Sequence, residues 1–403
     1  MGTEEAVDTD VIIVGGAVAG SALANALGSR SISALLIEKV SREVHSTRGD
    51  ILHPPTLRIL DHWGVLDALH ADGALQITEL GVTHRELGLL ARFSLRAQGD
   101  GPASRTIAVP HDRIEAVLYE CATRWPSITA ERGVVTGLIA ENGRVAGVRW
   151  RPAGGAETAI RAKLVAGCDG SQSLVRPTLG IAADQHPYEH EQVIIAAVGP
   201  TELPAALHWH IDDVGALCVV SRPREQCRIL LTLPLGARGD LLRGPDPGLH
   251  DYVAARFPML THLAIRKANA YVYRLAWHVA DRFSRPGAVL VGDSAHATHP
   301  AGATGMSLAI SGAEQLARQL EPVLKHRGSD LEIDRALEAY ADERRPAAAS
   351  AVGANHEQAL RVWQSDLFRD PRAYAAAIDP NASWGARGAA WGEDPAALSH
   401  AAS

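Results

Sequence analysis

The hydrophobic run Val11-Ile-Ile-Val14 stops in a glycine turn, Gly15-Gly-Ala-Val-Ala-Gly20, and far downstream Ala288-Val-Leu-Val291 stops in Gly292-Asp293. A buried strand that breaks into glycine before a small-residue helix lets backbone amides approach a phosphate closely. One such turn is weak evidence. Two of them, with a third at Gly167-Cys-Asp-Gly170 between, describe a chain that folds back to hold one large dinucleotide from both ends.

The bulk properties agree with a packed enzyme-sized protein. The 403 residues are 46% hydrophobic, enough for two or three domains with sizeable cores. A formal net charge of -7 with no basic block predicts no nucleic-acid partner. No window approaches the roughly 18 apolar residues of a membrane span, so no membrane span is expected. The acidic start MGTEEAVDTD lacks the features of a secretion signal, and the four cysteines lack metal-ligand spacing. A cytoplasmic protein, monomer or homodimer, is expected.

Periodicity divides the chain. Residues 10–38 read as a βαβ unit, with a strand at 10–14, an Ala/Leu-rich helix at 18–27 and a second strand at 34–37 closed by Glu38. Helices are predicted after His53-Pro-Pro55 and over 114–122, and Glu141-Asn-Gly143 marks a hairpin. Residues 186–280 read as β-rich, and from Thr304 the apolar residues Ala309, Ala313, Leu316, Leu320 and Val323 recur at helical spacing. The expected fold class is α/β, a Rossmann-like, glutathione-reductase-type FAD-binding domain interleaved with a β-sheet substrate domain, plus C-terminal helices. The discontinuous FAD-binding domain takes 1–75, 100–180 and 285–330. The substrate domain takes 76–99 and 181–284, a helical segment 331–375, and a flexible tail 376–403.

The first turn works through its backbone. Its glycines let amide N–H groups reach a pyrophosphate at the positive end of the next helix, and Glu38 is placed to accept from an adenosine ribose. Gly15 and Gly20 take the outer positions of GxGxxG, and Ala17 stands at the middle one. The alternative is an ordinary strand-to-helix turn beside a solvated Glu. A carboxylate just past a strand end, such as Asp293, suits a polyol hydroxyl. The small-residue loop after Pro300 suits close passage of backbone amides along a flat ring.

Together, residues 11–38, 167–176 and 288–309 resemble the fingerprints of FAD-dependent aromatic hydroxylases, the para-hydroxybenzoate hydroxylase-like family. The third segment, Gly292-Asp-Ser-Ala-His296 followed by Pro300-Ala-Gly-Ala-Thr-Gly-Met-Ser-Leu-Ala309, is especially similar. The resemblance implies FAD as bound cofactor. Gly15, Ala17, Val18, Ala19 and Gly20 would cradle its pyrophosphate, and Glu38 with the adjoining Lys39 would lie at the adenosine ribose. Arg48 and Arg113 would lie on the flavin side, Asp169 would be structural and linked to nicotinamide-cofactor binding, and Arg176 would support its turn. Gly292 and Asp293 would hold the ribityl chain, with Pro300, Gly302, Ala303, Thr304, Gly305 and Met306 along the flavin ring. Ala17 and Ser307 depart from the family pattern, which has Gly and Asn there.

The same resemblance implies an NAD(P)H-dependent flavoprotein monooxygenase. NAD(P)H would dock transiently, there being no second Rossmann fingerprint. One atom of O2 would pass, through a flavin hydroperoxide, to an aromatic or alkene small molecule. The motif Gly49-Asp-Ile-Leu-His-Pro54 is similar to squalene-epoxidase relatives and keeps epoxidation open. A reductase of the geranylgeranyl-reductase type is the alternative, and a prenylated-GTPase dissociation inhibitor a non-enzymatic one. Strand alternation offers Trp209, Tyr271 and Tyr273 as substrate-pocket candidates, set against a plain sheet core. His208 and His210 would face away from Trp209, solvated or catalytic. His296 and His299 lack further ligands, so no metal is expected.

Overall fold

The computed structural model describes residues 8–39, 49–95, 97–199, 207–212, 215–243, 246–363 and 370–377. Val11, Ile12 and Ile13 are fully buried, which is possible in a strand only if both faces of its sheet are covered. Thr9–Val14 accordingly lies inside a parallel sheet between Ala34–Glu38 and Thr158–Gly167. Ile128–Glu141 extends the sheet on one side and Ala288–Leu290 on the other. The short strand Ser284–Arg285 closes that second edge, antiparallel. All the parallel strands run the same way, so the three glycine turns, each at a strand's carboxyl end, gather along one edge of the sheet.

Arg144–Pro152 is a long detour from this sheet. It pairs antiparallel with the outer halves of Ile128–Glu141 and Thr158–Gly167. Its hairpin turns at Asn142 and Gly143, whose φ angles of 49° and 81° are those of a type I′ turn. The Asn-Gly signal in the sequence marks that turn.

Helix Val18–Gly28 is buried along nearly its whole length, between His111–Ala122 and Gly305–Lys325. Its Ala and Gly residues permit that close approach. Asn25 Nδ2 donates to Leu118 O across the contact at 2.8 Å. The long helix Asp330–Trp363 lies over Gly305–Lys325, and its fully buried Arg344 donates to Leu308 O and, at 2.8 Å, to Ser311 Oγ.

An eight-stranded sheet forms the second layer. Its spatial order is His296–Ala297, Ala270–Val279, His186–Val198, Gln226–Pro234, Gly215–Arg222, Leu207–Asp212, Glu79–His84, Gly88–Ser94. One face carries Val193, Ile195, Leu217, Val219, Ile229 and Leu231, covered by Leu249, Val253 and Phe257. The stretch 186–280 is therefore not purely β. It contains the helices Arg238–Arg243 and Asp246–Arg256, the second signalled by that four-residue spacing. Of the tail expected over 376–403, residues 376–377 end the helix Pro371–Ala377, and the rest lies outside the described residues.

A buried bidentate pair, Arg256 to Asp212, pins the covering helix to the sheet, with exposures of 7% and 1%. Asp212→Ala would leave that guanidinium buried without its carboxylate. We expect a loss of about 3–5 kcal/mol, read as a lower thermal midpoint against wild type and against the double variant with Arg256→Met.

Candidate active site

Contact forces glycine on the first turn. Gly15 has a φ of 99°, and a Cβ on it would lie 2.6 Å from Cys168 O; a Cβ on Gly20 would lie 1.8 Å from Gly15 O. Ala17, by contrast, has a φ of -68°, which any L-residue adopts, so its methyl replaces the family's glycine without strain. Helix Val18–Gly28 has no side-chain cap and no acid in its first turn, which leaves its positive end available to an anion. Glu38 Oε2 accepts the Gly16 N–H at 2.5 Å, bringing its carboxylate to the lip of the turn.

The second and third turns are locked to the first. Asp169 accepts from Ser173 Oγ at 2.6 Å and from the Leu174 and Val175 amides at 2.6 and 3.0 Å, so it caps the short helix after its turn. Arg176 donates to Ser171 O at 3.0 Å and to Ser294 O at 2.8 Å, tying the second turn to the third. Gly292, with a φ of 69°, sits so close to the first helix that a Cβ would meet Ala19 Cβ at 2.6 Å. A single cavity results. Its walls include Ala17, Val18 and Ala19 at one end and Asp293, Pro300, Ala303, Gly305 and Met306 beyond them. Glycine edges, an uncapped helix end and a carboxylate in one groove fit an FAD laid along it.

The loop before Gly305–Lys325 is held from behind. Asn355, fully buried on the C-terminal helix, donates to Thr298 Oγ1 at 2.9 Å and to Thr304 Oγ1. On the other side His190 Nε2 lies 3.0 Å from His299 Nε2, with Tyr188 packed edge-on against His299. Burial pushes His190 down to about 4 and His299 well below the ordinary imidazole range. These rings are neutral and serve as packing and hydrogen-bonding groups.

The opposite wall is the second face of the eight-stranded sheet, with Ile194, Leu207, Trp209, Cys218, Leu230 and Tyr273. A polar corner adjoins it. Asp50, with its side chain fully buried, faces Arg228 Nε at 2.7 Å and Arg222 Nε at 3.4 Å, and accepts the His111 N–H at 3.0 Å. Burial raises the Asp50 carboxyl against the pull of both arginines. The cluster joins the Gly49–Asp50 loop to the eight-stranded sheet, and Asp50, His111, Glu115 and Arg228 all line the cavity.

Several expected residues lie elsewhere. Tyr271 shares the face of Tyr273 but is 51% exposed, beyond the cavity rim. Arg113 points to Asp72, which it binds bidentately at 2.9 Å, because its place on helix His111–Ala122 turns it from the groove that His111 faces. Lys39 is exposed and off the cavity wall. Gly302 and Thr304 are buried behind the loop, the latter held by Asn355. His208 and His210 are neither solvated nor near the cavity: both are buried on the far face, sharing Thr83 Oγ1 at 2.9 and 2.6 Å. Arg48 lies outside the described residues. Among the described residues no three side chains group as metal ligands. Asp50, His111, Glu115, Gln192, Arg228 and Asn355 were not singled out from the sequence. The available signal was a polar residue on the inward register of an apolar strand, as at Gln192 and Arg228.

With this geometry in hand, comparison with known proteins gives one answer. The model of the FAD binding domain family matches residues 8–355. The chain belongs to this family. It is 29% identical over 388 residues to 6-methylpretetramide 4-monooxygenase of Streptomyces rimosus, covering 93% of this chain and 88% of that one. It is 27% identical to squalene epoxidase 5 of Arabidopsis thaliana, covering 85% and 67%. Among solved structures, p-nitrophenol 4-monooxygenase PnpA from Pseudomonas putida DLL-E4 superposes with a TM-score of 0.79 at 22% identity, covering 95% and 97%. PqsL, a probable FAD-dependent monooxygenase from Pseudomonas aeruginosa, gives 0.77 at 22% identity, covering 92% and 99%. The family member in hand is an FAD-dependent monooxygenase, and NAD(P)H is the reductant typical of the family. The reductase alternative is not favoured.

Two expectations follow. Gly292→Val adds bulk where Ala19 already touches and at a φ strained for any side chain, so we expect FAD retention through gel filtration, read by flavin absorbance, to fall sharply. The buried histidines set an acid limit. His190, His208, His210 and His278 are held down to about 4 from 6.5. The unfolded chain binds more protons across that window, so stability is full above pH 6.5 and falls as pH drops toward 4. Thermal midpoints measured over that range should decline steadily, and a flat profile would contradict the assignment.

Proposed function

We propose that this monooxygenase uses NAD(P)H and O2 to insert one oxygen atom into an aromatic or alkene small molecule held between the FAD groove and the eight-stranded sheet. The observation that carries the reading is the continuity of one cavity from Ala17–Ala19, past Asp293 and Pro300, to Trp209 and Tyr273. FAD, when bound, supplies the redox chemistry with reductant and oxygen. The chain's own residues bind, orient and exclude water.

Each role follows from placement. Ala17, Val18 and Ala19 lie where the open helix end faces a pyrophosphate. Asp293 would offer its carboxylate to the ribityl hydroxyls. Pro300, Ala303, Gly305 and Met306 present a wall without long polar side chains to a flat ring system. Trp209, Leu230 and Tyr273 make the apolar bed opposite, suited to a planar substrate stacked on it. Arg176 and Asp169 hold the turn from which a transient nicotinamide cofactor would be met.

Two named relatives support the two substrate classes, one acting on a polycyclic aromatic and the other on an alkene. Among the described residues no helix is long and apolar enough to cross a membrane, and the four cysteines are buried free thiols. The buried free thiols support the reading of a cytoplasmic enzyme, which we propose acts alone or as a homodimer.

The test is direct. FAD-loaded protein should oxidise NADPH slowly alone and faster when an aromatic substrate is added, with matching O2 uptake and an oxygenated product that carries label from labelled O2. Reduction of the added compound under anaerobic conditions would instead establish a reductase.

A further inference from the structure

The register of the eight-stranded sheet arranges its cavity-facing side chains in rungs. One rung runs Trp209, Cys218, Leu230, Ile194. The next, two residues along, sets Thr232 beside Gln192 and Gln192 beside Tyr273. Gln192 breaks the apolar pattern. It is only 2% exposed, yet it lines the cavity. Its Nε2 stands 3.5 Å from Thr232 Oγ1, the outer limit of a hydrogen bond, and its Oε1 has no partner among the described residues. A buried amide so poorly satisfied costs stability that an apolar residue would not. Val193 and Ile195, its neighbours on the helix-covered face, show the apolar choice this strand makes where no ligand is met.

The position of the amide gives it an object. Gln192 lies two residues from His190, whose imidazole touches His299, the residue before Pro300 in the loop along the flavin position. It therefore addresses the end of the bed where the reacting part of a substrate must lie. The Thr232 hydroxyl can donate or accept, so the amide can turn either its carbonyl or its NH2 toward a ligand. The wall's cation, by contrast, is already engaged: Arg228 stands 2.7 Å from Asp50, which Arg222 also faces. An anionic substrate would find that charge taken.

We propose that Gln192 hydrogen-bonds a hydroxyl or carbonyl oxygen on the reacting ring of a neutral aromatic substrate, and so selects oxygen-bearing aromatics over hydrocarbons, alkenes included. The inference rests on the monooxygenase reading above and narrows its substrate class. A site that pairs a buried polar group with the substrate discriminates strongly against analogues lacking it, because the group is then left unpaired.

The test uses the FAD-loaded full chain with naphthol and naphthalene, alike in all but one hydroxyl, and with squalene as an alkene. Calorimetric Kd values and substrate-stimulated O2 uptake are measured for wild type, for Gln192→Met, which keeps length without polar atoms, and for Gln192→Asn. Wild type should favour naphthol over naphthalene by about tenfold or more in Kd. Gln192→Met, still carrying FAD, should lose most of that ratio by weakening naphthol binding alone, and Gln192→Asn should recover part of it. A preference that survives in Gln192→Met, wild-type binding of both probes alike, binding of neither, or turnover of squalene equal to that of naphthol would overturn the inference. Failure of wild type to retain FAD, or to oxidise NADPH with any probe, would overturn the monooxygenase reading itself, a distinct result.

Discussion

The site depends on how closely three strand ends approach one another. Gly15 lies against the carbonyl of Cys168, Gly20 against that of Gly15, and Gly292 against the methyl of Ala19. None of these contacts leaves room for a side chain. They bring the carboxyl ends of Thr9–Val14, Thr158–Gly167 and Ala288–Leu290 to one edge, and Arg176 bolts the second turn to the third. An extended dinucleotide would need such a continuous edge, since its two ends would be met by different turns. The cost is local: glycines, which lose more conformational freedom on folding than other residues, stand where the backbone must be bare.

Polar side chains join the two layers across the cavity. Asp50 comes from the loop after the βαβ unit, Arg228 and Arg222 from the eight-stranded sheet, and their charges meet out of water. Removing one member of such a cluster strands the others, so it fixes the relative placement of the glycine-edged groove and the eight-stranded sheet even where its net stabilisation is small. Asn355 acts similarly from the C-terminal helix, gripping the flavin loop through Thr298 and Thr304. The eight-stranded sheet is mostly apolar on both faces, with Gln192 and Arg228 as polar exceptions on one and His208 and His210 on the other, and the two faces differ in what covers them. One is closed by Leu249, Val253 and Phe257, and the other lines the cavity.

Much of the fold was legible because its signals are local. The run Val11–Val14 with glycine at its end, the Asn142-Gly143 turn and the spacing from Ala309 to Val323 each report a geometry within a few residues. Pocket assignment was harder. Alternation put Tyr271 and Tyr273 on one face, correctly, but could not say that the cavity stops between them. It turned His208 and His210 away from Trp209, also correctly, and could not see that helix Asp246–Arg256 and Thr83 wait there to bury them. Arg113 follows a motif in which one turn of helix decides between groove and surface, and its bond to Asp72 settles it outward.

The sequence by itself determined the order of glycine turns, the strands they end and the helices they begin, since hydrophobic period and backbone freedom are properties of neighbouring residues. Only the tertiary structure decided which polar side chains share the cavity. Asp50, Gln192 and Arg228 on the cavity wall, and Asn355 bracing it from behind, are separated by long stretches of chain; a polar residue in an apolar strand sets Gln192 and Arg228 apart, but nothing local says what they face. Their meaning comes from the register of the eight-stranded sheet and the closure of the C-terminal helix, which bring them out of water beside partners distant in the chain.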